Sequence, residues 1–172
     1  MSSQDGALMV ALYVDDGLVI GRSKSRINEL LTAMEMKFEI KSSDANYYLG
    51  IQIKRDRDSN KIQLSQASYT RSVLEKFQHL NCNAVSVPVD VHTKLIKNSE
   101  QNLNEFPYRE LIGSLMYLAI GTRPDISYTI SALSQFLDNP SNMHWNAAKR
   151  VLKYLKGTVE TGISFKQRRK IN

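Results

Sequence analysis

The chain has 172 residues, enough for one domain with a real core or two small lobes sharing an interface, but not for two full domains. Hydrophobic content of 42% and charged content of 23% are ordinary for soluble proteins and favour neither a disordered nor a membrane class. A formal charge of +6 favours anionic partners, while the single cysteine, Cys82, excludes an intramolecular disulfide framework and a cysteine-rich zinc site.

Residues 7–14 form the longest apolar run, and Asp15 ends it well short of the roughly 18 residues a membrane helix needs. Residues 1–6 lack the basic start and apolar core of a signal peptide, so the expectation is a soluble, intracellular, cytoplasmic chain that is not secreted. The run reads as a strand, Asp15, Asp16 and Gly17 as a turn, and residues 18–20 as a returning strand, with both strands expected to be buried on both faces.

Ser23 or Ser25 caps a predicted helix whose stripe is Ile27, Leu30, Leu31, Met34 and Phe38 and whose apolar face packs on the hairpin. Residues 47–55 alternate as a strand, the polar cluster 56–60 turns it, and residues 61–65 return. A second amphipathic helix begins at Ser65, with Tyr69, Val73, Phe77 and Leu80 on its stripe. Pro88 and a polar run make residues 85–106 a linker, so residues 1–84 are expected to form the first lobe.

Pro107 and Pro124 suit the first turns of two helices ending near Ile120 and Leu137, and Ser141 or Asn142 caps a third ending at Gly157. Short connections make these helices antiparallel neighbours, with a core of Leu111, Leu115, Leu118, Ile126, Ile130, Leu133, Val151, Leu152 and Leu155. Residues 162–165 begin a strand and residues 166–172 form a basic tail. The fold class is therefore α+β, with β-hairpins and helices followed by a helical bundle over residues 107–165.

Chemistry concentrates at Tyr13-Val14-Asp15-Asp16, where adjacent carboxylates at the tip of an apolar hairpin could hold a hard cation such as magnesium. Alone, Asp-Asp-Gly is ordinary turn composition. Two further rows stand out. Arg109, Gly113 and Tyr117 recur at helical spacing, and Gly113 suits either close helix packing or approach to a duplex minor groove. Lys149, Lys153 and Lys156 share a helical face that is either solvated or in contact with phosphate. His79, His92 and His144 have no metal-ligand spacing, and Trp145 reads as a core anchor. A metal-dependent phosphoesterase has little support, since no further carboxylate cluster accompanies Asp15 and Asp16.

These stretches together resemble the reverse transcriptases of Ty1/copia-type retrotransposons, whose palm carries a Tyr-x-Asp-Asp hairpin. Tyr47-Tyr48-Leu49-Gly50-Ile51 followed by Leu64-Ser65-Gln66 is similar to the family's primer-grip hairpin. Tyr108 to Leu118, Thr122-Arg123-Pro124-Asp125-Ile126 and His144 to Thr158 are similar to its thumb and following region, so the likeness runs from about Leu8 to Phe165.

The resemblance implies that Asp15 ligates catalytic Mg²⁺ (or Mn²⁺) with Asp16 beside it. Tyr13 and Val14 would lie under the incoming nucleotide and the primer end, and Leu49, Gly50 and Ile51 would position the primer. It implies a template-primer duplex of RNA or DNA and a deoxynucleoside triphosphate as partners, and a partial palm followed by a thumb. A complete palm adds a further metal-binding aspartate on an earlier strand, together with fingers and a ribonuclease H domain. Asp5 is no substitute, because ten residues of strand would carry it roughly 30 Å from Asp15. The expectation is a polymerase segment inactive alone; a non-catalytic nucleic-acid binder is the alternative.

Overall fold

A computed structural model describes residues 7–90, 95–96 and 107–166. The chain divides into two compact units between Ile53 and Lys54. In the first, β1 (Met9–Tyr13) and β2 (Asp16–Ile20) form a two-stranded antiparallel sheet. Helix α1 (Lys24–Glu35) follows, and Ser23 caps it by accepting the Arg26 N–H on its side chain. Ile27, Leu30, Leu31 and Met34 are half-buried, whereas Phe38 lies beyond the helix and is exposed. Gly21 closes the hairpin-to-helix passage: a Cβ there would sit 2.3 Å from Leu8 and 3.3 Å from Ile27.

The hairpin departs from expectation in two ways. Its turn is Val14-Asp15 rather than Asp15 to Gly17, because the register pairs Val10 with Val19 and Ala11 with Leu18. A turn at Asp16-Gly17 would instead set Asp15 opposite Leu18. Apolar pairing wins, and Val14 adopts a left-handed φ of 49°, which costs a β-branched residue about 1–3 kcal/mol. The strands are also exposed rather than buried, with Leu12 at 70%. A two-stranded ribbon has no neighbouring strands to extend its packed face.

β3 (Tyr47–Tyr48) and β4 (Ile51–Asp56) are antiparallel, joined by Leu49 and Gly50 with φ of 48° and 76°. Positive φ at both central residues is the hairpin turn that matches strand twist. Residues 47–55 are thus a hairpin rather than one strand. Asp56 organises the next turn, accepting the N–H groups of Asp58 and Ser59 and the Ser59 hydroxyl, which hold its carboxyl below the usual range. β5 (Lys61–Ser65) pairs antiparallel with β6 (Ile163–Lys166), and the strand order of this sheet is β3-β4-β5-β6.

The second unit holds the main core. α2 (Ala67–Lys76) ends with Gln78 at φ 58°, the His79 N–H on the Leu74 carbonyl and the Gln78 N–H on that of Glu75. That is a Schellman cap with glutamine at the position usually held by glycine. α3 (Tyr108–Gly121), a 3₁₀ turn (Pro124–Ile126), α4 (Ser127–Ser134) and α5 (Asn142–Gly157) follow. All nine core residues expected from the sequence are buried, joined by Val73, Leu74, Ile112 and Ala148. Buried Tyr108 donates its hydroxyl to the Leu133 carbonyl.

Because Val73 and Leu74 belong to the helical core, α2 sits with the second unit rather than with the first lobe. The division falls at Ile53, earlier than the sequence pattern suggests. The expected linker also packs where it is described: the Val85 N–H meets the Lys153 carbonyl at 3.4 Å, and Leu95 touches the core. Residues 91–94 and 97–106, like most of the basic tail, lie outside the described residues.

His144 opens α5. Its Nδ1 accepts the Ser141 N–H at 2.9 Å, its ring stacks on Phe136 with centroids 4.0 Å apart, and it is fully buried. Burial lowers its pKa below the ordinary 6.5, with the Ile96 carbonyl opposing. The unfolded chain therefore binds the proton first, so stability is full above about pH 6.5 and falls as the pH drops below it. A His144→Gln variant, which keeps an acceptor at this capping position, should flatten that pH dependence. Urea midpoints at pH 7.5 and 5.5 check it; equal slopes for both proteins would count against the account.

Candidate functional site

The hairpin tip presents both carboxylates to solvent: Asp15 occupies the turn, and Asp16 opens β2 opposite Tyr13. Tyr13 and Val14 are exposed beside them. Two hard oxygen donors suit a magnesium ion, which keeps several waters when bound by one or two carboxylates. They do not complete a two-metal cage, for among the described residues no group of three His, Cys, Asp or Glu could hold a metal ion. Asp5 lies outside the described residues. Within the same unit, Leu49, Gly50 and Ile51 are half-buried at the tight turn between β3 and β4.

In the second unit, Arg109, Gly113 and Tyr117 form one exposed row along α3. Arg109 lies 3.5 Å from both Asp138 and the Leu137 carbonyl, a loose pair on the surface. Among the described residues a Cβ on Gly113 would meet nothing within 4 Å, so close packing against them does not explain the glycine. Tyr117 stands edge-on to Tyr69, centroids 4.8 Å apart, and keeps 41% of its surface exposed. Sequence reasoning missed Met116 and Ile120, exposed apolar residues flanking this row; Ile120 is 80% exposed. Their spacing from Arg109 carried the signal.

Lys153 and Lys156 are exposed on α5 and Lys149 is half-buried, its Nζ 5.9 Å from the Trp145 ring centroid. Trp145 packs against the core, as expected of an anchor. Arg123 is 1% exposed and donates from Nε and Nη2 to Asp125 at 3.0 and 2.8 Å, and from Nη1 and Nη2 to the carbonyl and hydroxyl of Thr158 at 3.0 and 2.7 Å. Tyr154 donates to the same carboxylate at 2.8 Å. The Thr-Arg-Pro-Asp stretch is therefore an internal clasp joining the 3₁₀ turn to the end of α5.

The described residues thus carry a hairpin with paired carboxylates, a second hairpin with a tight turn, and helices with cationic rows. The sequence model described as reverse transcriptase (RNA-dependent DNA polymerase) matches residues 2–91, more than half of the chain, and the chain belongs to that family.

It is 38% identical over 171 residues to a retrovirus-related Pol polyprotein from transposon TNT 1-94 of Nicotiana tabacum, covering 95% of this chain and 13% of that protein. It is 39% identical over 162 residues to the one from transposon RE2 of Arabidopsis thaliana, covering 93% of this chain and 11% of that one. An uncharacterized mitochondrial protein of Arabidopsis thaliana is 32% identical, over 96% of this chain and 68% of its own length. No solved structure matches. No described helix is long and apolar enough to cross a membrane.

Proposed function

We propose that this chain is the part of a retrotransposon polymerase that presents one edge of the nucleotidyl-transfer centre and grips the template-primer duplex. The observation that carries the reading is the exposed Asp15-Asp16 pair, held at a tight turn by a strained Val14. Strain of this kind persists where structure over-determines it and clusters at functional sites.

In this reading Asp15 and Asp16 hold Mg²⁺ (or Mn²⁺), which when bound stabilises the triphosphate charge and eases loss of the primer hydroxyl proton. Tyr13 and Val14 lie under the deoxynucleoside triphosphate and the primer end. Leu49, Gly50 and Ile51 position the primer, with the glycine letting backbone approach backbone. Arg109, Gly113 and Tyr117 face the duplex, and Lys149, Lys153 and Lys156 take its phosphates. Further palm, finger and ribonuclease H segments of a Pol polyprotein would complete the enzyme in an intracellular, cytoplasmic setting.

The second reading, a nucleic-acid binder without catalysis, is favoured by the absence of a third ligand beside the carboxylates among the described residues. Both readings agree that the chain alone does not extend a primer. Incubation with primed template, deoxynucleoside triphosphates and magnesium should give no product. Extension that disappears in Asp15→Asn would show that the metal cage is complete within the chain and would overturn the inactive reading.

A further inference from the structure

The two carboxylates stand at the far end of a lone two-stranded ribbon, a structure that is marginal in water without a neighbour to pack on. Met9, Leu12, Tyr13 and Ile20 are exposed along it, and α1 buries no residue fully. The direction of the tip therefore depends on how the base of the ribbon is held. At about 3.3 Å for each residue of strand, Asp16 lies about 17 Å from Gly21, so a tilt of about 10° at the base moves the tip by about 3 Å. A misplacement of about 1 Å is enough to cost a reaction about 100-fold in rate.

The base is held by Leu8, Gly21 and Ile27, all half-buried. A Cβ on Gly21 would overlap Leu8 Cδ2 and stand 3.3 Å from Ile27 Cγ1, so Leu8 occupies the place that a side chain at 21 would take, beside the first turn of α1. Gly21 has no left-handed φ, and its backbone would accept an ordinary L residue. Space, rather than conformational freedom, is what this glycine supplies. A side chain at 21 must either push Leu8 out or lift the ribbon from the helix.

We propose that Gly21 is a positioning residue: by leaving room for Leu8 against Ile27, it seats the ribbon on α1 and sets where Asp15 and Asp16 stand. The seat is a matter of packing alone, and its importance for nucleotidyl transfer rests on the polymerase reading.

The test is pulsed electron paramagnetic resonance on the full chain, with Cys82→Ser and nitroxides on Leu12→Cys and Asn28→Cys, exposed sites on the ribbon and on α1. The parent should give one narrow distance. Gly21→Val should shift it by about 3 Å, the displacement that a 10° tilt produces, and Leu8→Ala, which empties the seat, should broaden it. Combining the two should restore the parent distance, because valine fills the space that Leu8 vacates, whereas two unconnected losses of stability would add. Where Gly21→Val alone fails to fold, Leu8→Ala and the double variant still decide. A parent-like distance in Gly21→Val, or a double variant no closer to the parent than Leu8→Ala, overturns the proposal. Mn²⁺ added to the chain labelled only on Asn28→Cys separates the two readings: the manganese–nitroxide distance should follow the same pattern across the variants. Absence of bound Mn²⁺ would overturn the metal role of the carboxylates, while the label pair still decides the seat.

Discussion

Arg123→Met should destabilise the chain by about 2–3 kcal/mol in urea unfolding, since it removes the charge-assisted hydrogen bonds of a buried guanidinium while the Asp125 carboxylate left behind keeps contact with water. The side chain is 1% exposed and makes hydrogen bonds to Asp125 and Thr158 that methionine cannot replace. Its loss leaves the Thr158 carbonyl with the Thr161 N–H only and removes the charged donor from the Asp125 carboxylate, which keeps the Tyr154 hydroxyl. Arg123→Lys should recover little, because one ammonium cannot reproduce a planar fork aimed at two acceptors.

Arg71→Ala provides the contrast. Its pair with Glu160 is exposed on both sides, at 54% and 73%, and should contribute under about 1 kcal/mol. Burial of Asp125 pushes its pKa up, but the hydrogen bonds from Arg123 and Tyr154 outweigh that and hold it below 3.8. The clasp thus contributes fully above about pH 4 and is lost as the pH falls through the lower folded value. An Arg123→Met protein within about 1 kcal/mol of wild type would show that the clasp does not organise the second unit.

The helical core was readable in advance because its leucines and isoleucines recur at 3.6-residue spacing, and periodicity records which side of a helix faces inward. Turns were harder. Asp16-Gly17 has the right composition for a turn, yet pairing along the whole strand outweighed it and moved the turn onto Val14. Gln78 takes a left-handed cap with no glycine to announce it.

The boundary between units was misplaced for a different reason: Val73 and Leu74 look like any amphipathic stripe, and nothing local says which sheet or bundle that stripe will meet. At the site, the Asp15-Asp16 pair was legible from residue type. The exposure of its strands was not, since an apolar run does not say whether neighbouring strands will cover it.

Gly113 separates stability from function on α3. Glycine inside an exposed helix costs about 0.5–1 kcal/mol relative to alanine, and among the described residues nothing within 4 Å of its Cβ position offers a compensating contact. Gly113→Ala should therefore raise stability by about that amount, and Gly113→Leu should fold as well as wild type. If the Arg109-Gly113-Tyr117 row faces a duplex, bulk at Gly113 holds the helix away, and Gly113→Leu should weaken a labelled primer-template by about tenfold or more in fluorescence anisotropy.

Replacing Lys149, Lys153 and Lys156 together by glutamine should act differently. It should weaken binding to every sequence alike and reduce the salt slope by about 0.9 for each phosphate that is no longer neutralised. Steric and electrostatic effects are thus read on separate axes: affinity at fixed salt for the glycine, and slope for the lysines. A Gly113→Leu protein that gains stability and keeps full affinity would place the duplex on another face, because no packing role would then remain to explain the glycine.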